Sequence, residues 1–509
     1  ITKVESASKF PRPWVQGASG RFCLGQAVRA KERARHSRNR RVLMTEIVGE
    51  LAEPAGARSG LFVVGGLVKE VIATSEPQTV REHLSSLLQV KNLVVLLGSG
   101  ASFHLGSPKT RDLTNQQVLD LIRDSGGEPA EEEDLALLTT INPTDSGDLE
   151  KLLNGLQLAA ALAAQAGQGA VTLGSGTDSK SYPKEDVDGL RQRINRALAE
   201  ACRLPKDGKH LEAPYDVDPL LAHRMFLSRI VRSRRTNLPR PRIFTTNYDL
   251  VIESALDELG YPYIDGFSGT VDRRLNLAFY GLDFHRVETT SQSVLARAEG
   301  ALYLHKVHGS LNWRSSSDRD RLTGLESLEV KQSDASAEDD ELVLIYPTSA
   351  KDGDTLAYPY SDLLRLLGDA VQQEDTAVIV AGYGFADPHI NRLLLRSLAT
   401  NAALNVFVAD PFAVLEDADM AALTSDAQQR QLDDLNITPK QTAIAALAKA
   451  SDSRIAVLTG EHGKFTELAR LMPASSPQGE TPTAVATLIE ALEQAARGSA
   501  PPIPGSELL

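Results

Sequence analysis

The feature that most constrains the fold is a continuous apolar run that ends in a glycine-rich turn. Residues 92–97 read NLVVLL, and GSGAS follows at once at positions 98–102. A short run of Leu and β-branched residues is typical of a strand buried on both faces, as in parallel sheets. Glycines directly after such a strand let the backbone approach a phosphate, and a following helix adds amide donors. This segment therefore predicts the opening of a nucleotide-binding α/β unit, although a purely structural turn has the same pattern.

Further apolar runs have the length of strands and alternate with helical patterns. They lie at residues 242–245, 342–346, 377–380 and 405–408. This alternation predicts an α/β protein with a Rossmann-like, doubly wound, mostly parallel sheet. Leu, Ala, Gln and acidic residues at helical spacing predict a helical insertion over about 112–240, with a glycine-rich link at 166–177. The polar stretch 315–341 is predicted to be a surface loop.

Changes in composition predict three regions along the chain. Residues 1–90 form an N-terminal basic arm with a small extension, residues 91–473 form the main domain, and residues 474–509 form a Pro- and Ala-rich tail with one helix. Residues 1–42 carry 11 Lys and Arg against 2 Asp and Glu, a balance of +9. The net charge of the whole chain is −13, so the rest of the chain carries a charge of −22.

Charge and cysteine usage exclude several classes of function. An acidic body disfavours nucleic acids and anionic membranes, although the basic arm could contact nucleic acid. The apolar runs are far shorter than the roughly 20 residues that span a bilayer. Only Cys23 and Cys202 occur, which argues against a disulfide scaffold and a cysteine zinc site and indicates a reducing cytoplasm.

Three more polar motifs follow or border predicted strands. TTNYD occupies 245–249, His308 precedes Gly309, and GYGF occupies 382–385. Ligands of open α/β sheets bind beyond the carboxyl ends of strands, so these side chains are candidates for a site. Each motif also has a structural interpretation: a cap for the helix that starts at Leu250, a structural histidine, and a tight connection. A histidine titrates near neutral pH, which suits a general base.

The order of these motifs resembles the sirtuin-like family across roughly residues 91–470. That family shows a glycine-rich GAGxS loop with a Gly-x-Pro, a later Asn-x-Asp, a His-Gly and a strand that ends in glycine. The variants TTNYD, KVHGSLNW and GYGFADPHIN are similar to divergent bacterial members of antiphage systems, which are associated with NAD degradation. Two departures from the deacylase branch are the lack of a four-cysteine zinc module and the replacement of Asp-Phe-Arg after Pro108 by Lys109-Thr110-Arg111.

The resemblance implies two catalytic residues. Asn247 would orient a water or the ribose hydroxyls, and His308 would be the general base. His305, which is not followed by glycine, serves as an internal comparison. Backbone amides of the first loop would hold the pyrophosphate, and Asp410 is placed on the ribose by position alone. The implied NAD-binding positions are Gly98, Ser99, Gly100, Ala101, Ser102, Pro108, Arg111, Thr246, Asp249, Gly382, Tyr383, Gly384 and Asp410.

The sequence therefore predicts an NAD glycohydrolase that uses NAD as its substrate and holds no zinc. A zinc-less, NAD-dependent protein deacylase and a module that binds NAD or ADP-ribose without turnover are the alternatives. Because unrestrained NAD loss would kill the host, we expect a cytoplasmic homo-oligomer or a partner that controls activity. The resemblance suggests a HerA-type ATPase, an Argonaute-like protein or a phage protein as that partner. The short apolar runs and the acidic charge predict no membrane partner.

Overall fold

The computed structural model describes residues 60–72, 77–108, 114–125, 132–145, 149–165, 169–174, 179–205, 211–288, 294–316, 329–332, 342–344, 359–385, 387–411 and 447–473. All lie within the compact unit Ala57–Leu509. The strands are β1 (Gly60–Val64), β2 (Leu67–Ile72), β3 (Asn92–Leu97), β4 (Ala170–Leu173), β5 (Lys180–Pro183), β6 (Arg242–Thr245), β7 (Tyr263–Ile264), β8 (Phe267–Ser268), β9 (Arg274–Leu275), β10 (His285–Glu288), β11 (Val294–Arg297), β12 (Leu302–Lys306), β13 (Gly309–Ser316), β14 (Glu329–Gln332), β15 (Leu342–Leu344), β16 (Thr376–Ala381), β17 (Leu404–Ala409) and β18 (Ile455–Leu458).

The α-helices are α1 (Gln78–Leu88), α2 (Asn115–Asp124), α3 (Glu132–Ile141), α4 (Leu149–Gln165), α5 (Lys184–Ala201), α6 (Leu221–Ser233), α7 (Val251–Leu259), α8 (Tyr360–Val371), α9 (Pro388–Thr400) and α10 (Phe465–Leu471). Within the described ranges, three short 3-10 segments lie at Ser99–Leu105, Leu277–Gly281 and Gly460–Gly463.

The main sheet has nine strands in the order β2-β1-β18-β17-β16-β3-β6-β12-β7. From β18 to β7 all neighbours pair in parallel, whereas β1 pairs with β18 and with β2 in antiparallel fashion. Strands β6, β12 and β7 lie on one side of β3, and β16, β17 and β18 lie on the other. The predicted doubly wound, mostly parallel α/β fold is confirmed, with its topological switch point between β3 and β16.

Both faces of this sheet are buried, as the apolar run of β3 predicts. Val94 and Leu96 point into a core completed by α8 and α9, whereas Leu93 and Val95 point into a second core. The second core contains Phe226 of α6 together with residues of α1, α7 and α10. Because successive side chains of a strand point to opposite faces of the sheet, a fully apolar strand packs against helices on both faces.

The helical insertion forms its own core. Buried side chains of α2 to α5 and of the β4–β5 hairpin pack together, among them Val118, Leu138, Leu156 and Leu190. Helix α6 packs on the main sheet instead, so the insertion is shorter than the predicted 112–240. The predicted glycine-rich link contains strand β4.

Several predicted elements belong elsewhere in the fold. Strand β15 matches the predicted run at 342–346 but lies in a second sheet of order β15-β13-β14-β9-β8, and the predicted loop at 315–341 contains β14 of that sheet. Residues 60–88 supply β1, β2 and α1, so the two strands precede the predicted boundary at residue 91 yet pair within the main sheet. The basic arm of residues 1–42 and the tail of residues 474–509 lie outside the described residues.

Candidate active site

The polar motifs come together because their strands end in one row across the sheet. Strand register aligns six residues on neighbouring strands: Leu458, Ala409, Ala381, Leu97, Thr245 and Lys306. Asn247 lies two residues after Thr245, and His308 lies two residues after Lys306. Adjacent strands are about 4.8 Å apart, so these two side chains belong to neighbouring loops at the same edge.

The glycine-rich loops after β3 and β16 pack backbone against backbone at the switch point. The amide of Gly100 donates to the carbonyl oxygen of Gly382 at 2.9 Å. A Cβ on Gly382 would lie 2.1 Å from the nitrogen of Ala101, and Gly382 has a φ of +63°. A Cβ on Gly98 would lie 2.5 Å from the oxygen of Gly382. No side chain fits between the two loops, so glycine is required at these positions for close approach of the backbones.

This packing corrects the predicted role of three amides. The amide of Gly98 donates to Ala381 at 3.1 Å, that of Gly100 donates to Gly382, and that of Ala101 donates to the oxygen of Gly98 at 2.9 Å. A backbone amide that already has an acceptor is not a ready donor for a pyrophosphate. The prediction that these three amides hold the phosphates is therefore wrong in this structure, and the glycines serve the contact between loops.

Ser102, Asn247 and Asp249 form a buried polar chain. The hydroxyl of Ser102 donates to Oδ2 of Asp249 at 3.0 Å, and Nδ2 of Asn247 donates to the hydroxyl oxygen of Ser102 at 3.3 Å. Oδ1 of Asp249 accepts from the amide of Val251, the first residue of α7, at 3.1 Å. The carboxylate of Asp249 thus links Ser102 to the start of α7.

The polar chain of Ser102, Asn247 and Asp249 leaves Oδ1 of Asn247 available as an acceptor. The residue is only 6% exposed, and its Oδ1 has no hydrogen-bond partner among the described residues. A buried amide oxygen without a partner costs free energy, which a bound donor recovers. Asn247 is therefore set to accept a hydrogen bond from a ligand hydroxyl or a water.

Lys306 is a buried cation that sequence reasoning did not assign. Its ammonium group donates to the carbonyl oxygen of Asp249 and lies 3.2 Å from Oε1 of Glu253. Burial raises the pKa of Asp249 and of Glu253, and the positive charge of Lys306 opposes both shifts. Lys306 thus joins the end of β12 to the loop that carries Asn247.

His308 has a carboxylate partner. Its Nε2 lies 3.0 Å from Oδ2 of Asp387, and both residues are buried. Asp387 is the N-cap of α9, where its Oδ1 accepts from the amides of His389 and Ile390. Asp387 lies in the GYGFADPHIN motif, but nothing in the sequence indicates that it pairs with a histidine 79 residues away.

His305 occupies a different environment. Its ring stacks between Phe244 and Tyr280, with centroid distances of 4.1 Å to each. Burial lowers the pKa of His305 to about 3, so the ring is neutral near pH 7. The aromatic stack and the bond from Nδ1 to the oxygen of Ile243 at 3.3 Å give His305 a structural role, in contrast to His308.

The remaining predicted positions lie around this edge or outside the described residues. The hydroxyl of Tyr383 lies 3.0 Å from Oδ1 of Asn391 and 3.2 Å from the carbonyl oxygen of Asp387, so its hydrogen bonding supports the start of α9. The amide of Thr246 donates to the oxygen of Leu97. Asp410 is buried at the end of β17. Ser99, Pro108 and Gly384 lie in the loops after β3 and β16, and Arg111 lies outside the described residues.

The described residues contain neither a cluster suited to a metal ion nor a helix suited to a membrane. No group of three or more His, Cys, Asp or Glu side chains in those ranges is arranged to hold a metal ion. No helix within the same part of the chain is both long and apolar enough to cross a membrane.

The sheet and the polar residues at its carboxyl edge define an α/β protein with a candidate ligand site at the switch point. Comparison with protein families identifies the type of domain: residues 241–440 match the model of the SIR2-like domain. This range includes Asn247, His308 and Asp387 but not the loop after β3. The chain therefore contains a SIR2-like domain, and the resemblance to the sirtuin-like family is confirmed.

Comparison with solved structures gives Sir2 homologues. A mutant Sir2 homologue in complex with 2′-O-acetyl ADP ribose is 14% identical with a TM-score of 0.32, covering 78% of this chain and 99% of that one. A Sir2 homologue in complex with NAD is 13% identical with a TM-score of 0.26, covering 77% of this chain and 91% of that one. Comparison with curated proteins gives no match.

Proposed function

We propose that this protein is an NAD glycohydrolase, which cleaves NAD to nicotinamide and ADP-ribose. The observation that carries the proposal is the partnerless Oδ1 of Asn247, a buried acceptor held at the sheet edge beside the loop of His308. The SIR2-like domain match and the order of the sirtuin-like motifs support NAD as the ligand.

The reaction breaks the bond between the ribose carbon and the nicotinamide nitrogen. The electron pair of that bond leaves with the cationic ring, which becomes neutral nicotinamide. A water oxygen forms the new bond to the ribose carbon, and the water loses a proton. Because the leaving group is good, the transition state resembles an oxocarbenium ion and depends on positioning more than on strong acid catalysis.

The chain supplies two groups for this step. Asn247 accepts a hydrogen bond through Oδ1 from the water or from a ribose hydroxyl, because that oxygen has no partner among the described residues, while Nδ2 donates to Ser102. His308 takes the proton from the water as a general base. Lys306 fixes the carbonyl oxygen of Asp249 and so holds the loop that presents Asn247.

Two other functions fit the same fold. A zinc-less, NAD-dependent deacylase would use the same edge but would consume NAD only with an acyl-lysine peptide. A sensor of NAD or ADP-ribose would bind nucleotide without turnover. The His308–Asp387 pair favours turnover, since a buried and oriented histidine is typical of a general base rather than of a binding module.

We also propose a biological setting for this activity. The motif variants resemble those of bacterial antiphage proteins, so the protein would deplete NAD when infection triggers it. A homo-oligomer or a partner would keep it silent at other times. The candidate partners remain a HerA-type ATPase, an Argonaute-like protein and a phage protein.

The test is a time course of NAD, nicotinamide and ADP-ribose with purified protein. It is run alone, with the product of the neighbouring gene, and with an acetyl-lysine peptide. Loss of NAD without peptide, with stoichiometric nicotinamide and ADP-ribose, is the expected result. Loss only with peptide would establish the deacylase, and saturable NAD binding with no loss in any arm would establish the sensor.

A further inference from the structure

We propose that Asp387 is a positioning residue that fixes the tautomer of His308, so that Nδ1 is the nitrogen that receives the proton. The inference rests on the proposed function for its kinetic consequence only. The geometry itself is a His–Asp pair across the switch point, between the loop after β12 and the start of α9.

The two oxygens of Asp387 have separate tasks. Oδ1 accepts from the amide of His389 at 2.7 Å and from that of Ile390 at 3.3 Å. Oδ2 accepts from Nε2 of His308 at 3.0 Å. Asp387 is only 3% exposed, so its carboxylate is held by protein groups rather than by solvent. The cap therefore fixes which oxygen faces the histidine.

This arrangement determines where the hydrogen of the neutral imidazole lies. A carboxylate offers only acceptors, so the nitrogen that faces it carries the hydrogen. Nε2 of His308 is therefore the donor, and Nδ1 carries the lone pair. The imidazolium that forms during proton transfer is stabilised by the same carboxylate, as in other base–carboxylate pairs.

The Asp387→Asn variant separates this role from helix capping. Asn is as good an N-cap as Asp, so its amide oxygen is expected to keep the bonds to His389 and Ile390. The amide NH₂ then takes the place of Oδ2 and faces Nε2 of His308. A donor in that place forces Nε2 to be the acceptor, which moves the hydrogen to Nδ1 and removes the base.

The kinetic expectation is a loss of kcat without a loss of binding. Asp387→Asn should lower kcat about 100-fold or more, with little change in KM for NAD or in the thermal midpoint. Asp387→Ser provides the second variant, because serine keeps the cap but places no group near His308. Its kcat should lie between those of the wild type and Asp387→Asn, because residue 387 then favours neither tautomer of the His308 ring.

A spectroscopic measurement decides the tautomer without turnover. Protein labelled with ¹⁵N-histidine is recorded at neutral pH, and the signals of His308 are those lost in His308→Gln. We expect hydrogen on Nε2 in the wild type and on Nδ1 in Asp387→Asn. An inactive wild type with this switch would refute the proposed function but support the pair. An unchanged tautomer, or a kcat within about 3-fold of the wild type in an active enzyme, would refute the pair.

Discussion

Nδ2 of Asn247 donates to the hydroxyl of Ser102 at 3.3 Å, and this bond determines which end of the amide faces the site. The hydroxyl of Ser102 donates in turn to Asp249, so its oxygen acts as the acceptor for Asn247. The orientation of a side-chain amide follows from its hydrogen-bond network. Asn247 therefore presents its partnerless Oδ1 as an acceptor, which suits a hydroxyl group or a water.

Removal of the Ser102 hydroxyl should impair catalysis more than stability. In Ser102→Ala the amide of Asn247 loses its acceptor and is free to turn, so we expect kcat to fall by about 10-fold to 100-fold. The measurement is the initial rate of nicotinamide release. Ser228→Ala is the control, because that hydroxyl donates to the oxygen of Met225 within α6. Equal rates in the two variants would show that the polar chain does not orient Asn247.

The contact between the two glycine loops predicts a severe effect of a single methyl group. Gly382→Ala places a Cβ 2.1 Å from the nitrogen of Ala101 in a backbone conformation with φ of +63°. We expect loss of NAD hydrolysis and a free energy of unfolding lowered by about 1–3 kcal/mol or more. Gly281→Ala is the matched control, because a Cβ there meets nothing within 4 Å. Urea unfolding and the rate assay check both variants, and a fully active Gly382→Ala would contradict the close contact.

The buried Lys306–Glu253 pair predicts non-additive stability changes. Lys306→Met leaves Glu253 buried without its counter-charge, so the free energy of unfolding should fall by about 3–5 kcal/mol. In Lys306→Met/Glu253→Gln the uncompensated charge of residue 253 is gone, although Asp249 still lacks the counter-charge of Lys306, so part of that loss should be recovered. Urea unfolding of the single and double variants measures the coupling. Strictly additive changes would mean that the two side chains do not interact.

The environment of His305 predicts acid sensitivity of the fold. Burial lowers the pKa of His305 to about 3 in the folded protein, against an ordinary value of 6.5. Below pH 6.5 the unfolded chain binds a proton that the folded protein does not, so stability falls by roughly 1 kcal/mol per pH unit down to about pH 3. Above pH 6.5 this contribution is constant.

His305→Phe keeps an aromatic ring in the stack and removes the titrating group. The difference in unfolding free energy between pH 7 and pH 5 should therefore be smaller in His305→Phe than in the wild type, by roughly 1–2 kcal/mol. NAD hydrolysis should persist, because His305 contacts Phe244 and Tyr280 rather than the site. Identical pH dependence of stability in the two proteins would contradict the assignment.

The sequence predicted the parallel strands and the site motifs because their signals are local. Strands β3, β6, β16 and β17 are apolar runs, and each is followed by the polar or glycine residues that lie at the sheet edge. The motifs that follow these strands predicted that Asn247 and His308 lie at the same sheet edge. The parallel register of β6 and β12 places them in neighbouring loops.

The parts that the sequence did not predict depend on tertiary contacts. The run at β15 has strand character, but only pairing with β13 decides which sheet it joins. The glycines of the first loop suggest a phosphate, yet their amides donate to the backbone beside Gly382. Asp387 and Lys306 lie in quoted motifs, but their partners are fixed only when β12, α7 and α9 converge.

The most direct measurement is NAD hydrolysis by Asn247→Ala beside the wild type, with NAD affinity measured on the same samples. The neighbouring gene product is included where the wild type requires it. We expect stoichiometric release of nicotinamide and ADP-ribose by the wild type, and none by a folded Asn247→Ala protein. Equal rates of NAD loss in both proteins would contradict the central role of Asn247, and no loss by the wild type in either condition, despite tight NAD binding, would contradict the hydrolase itself.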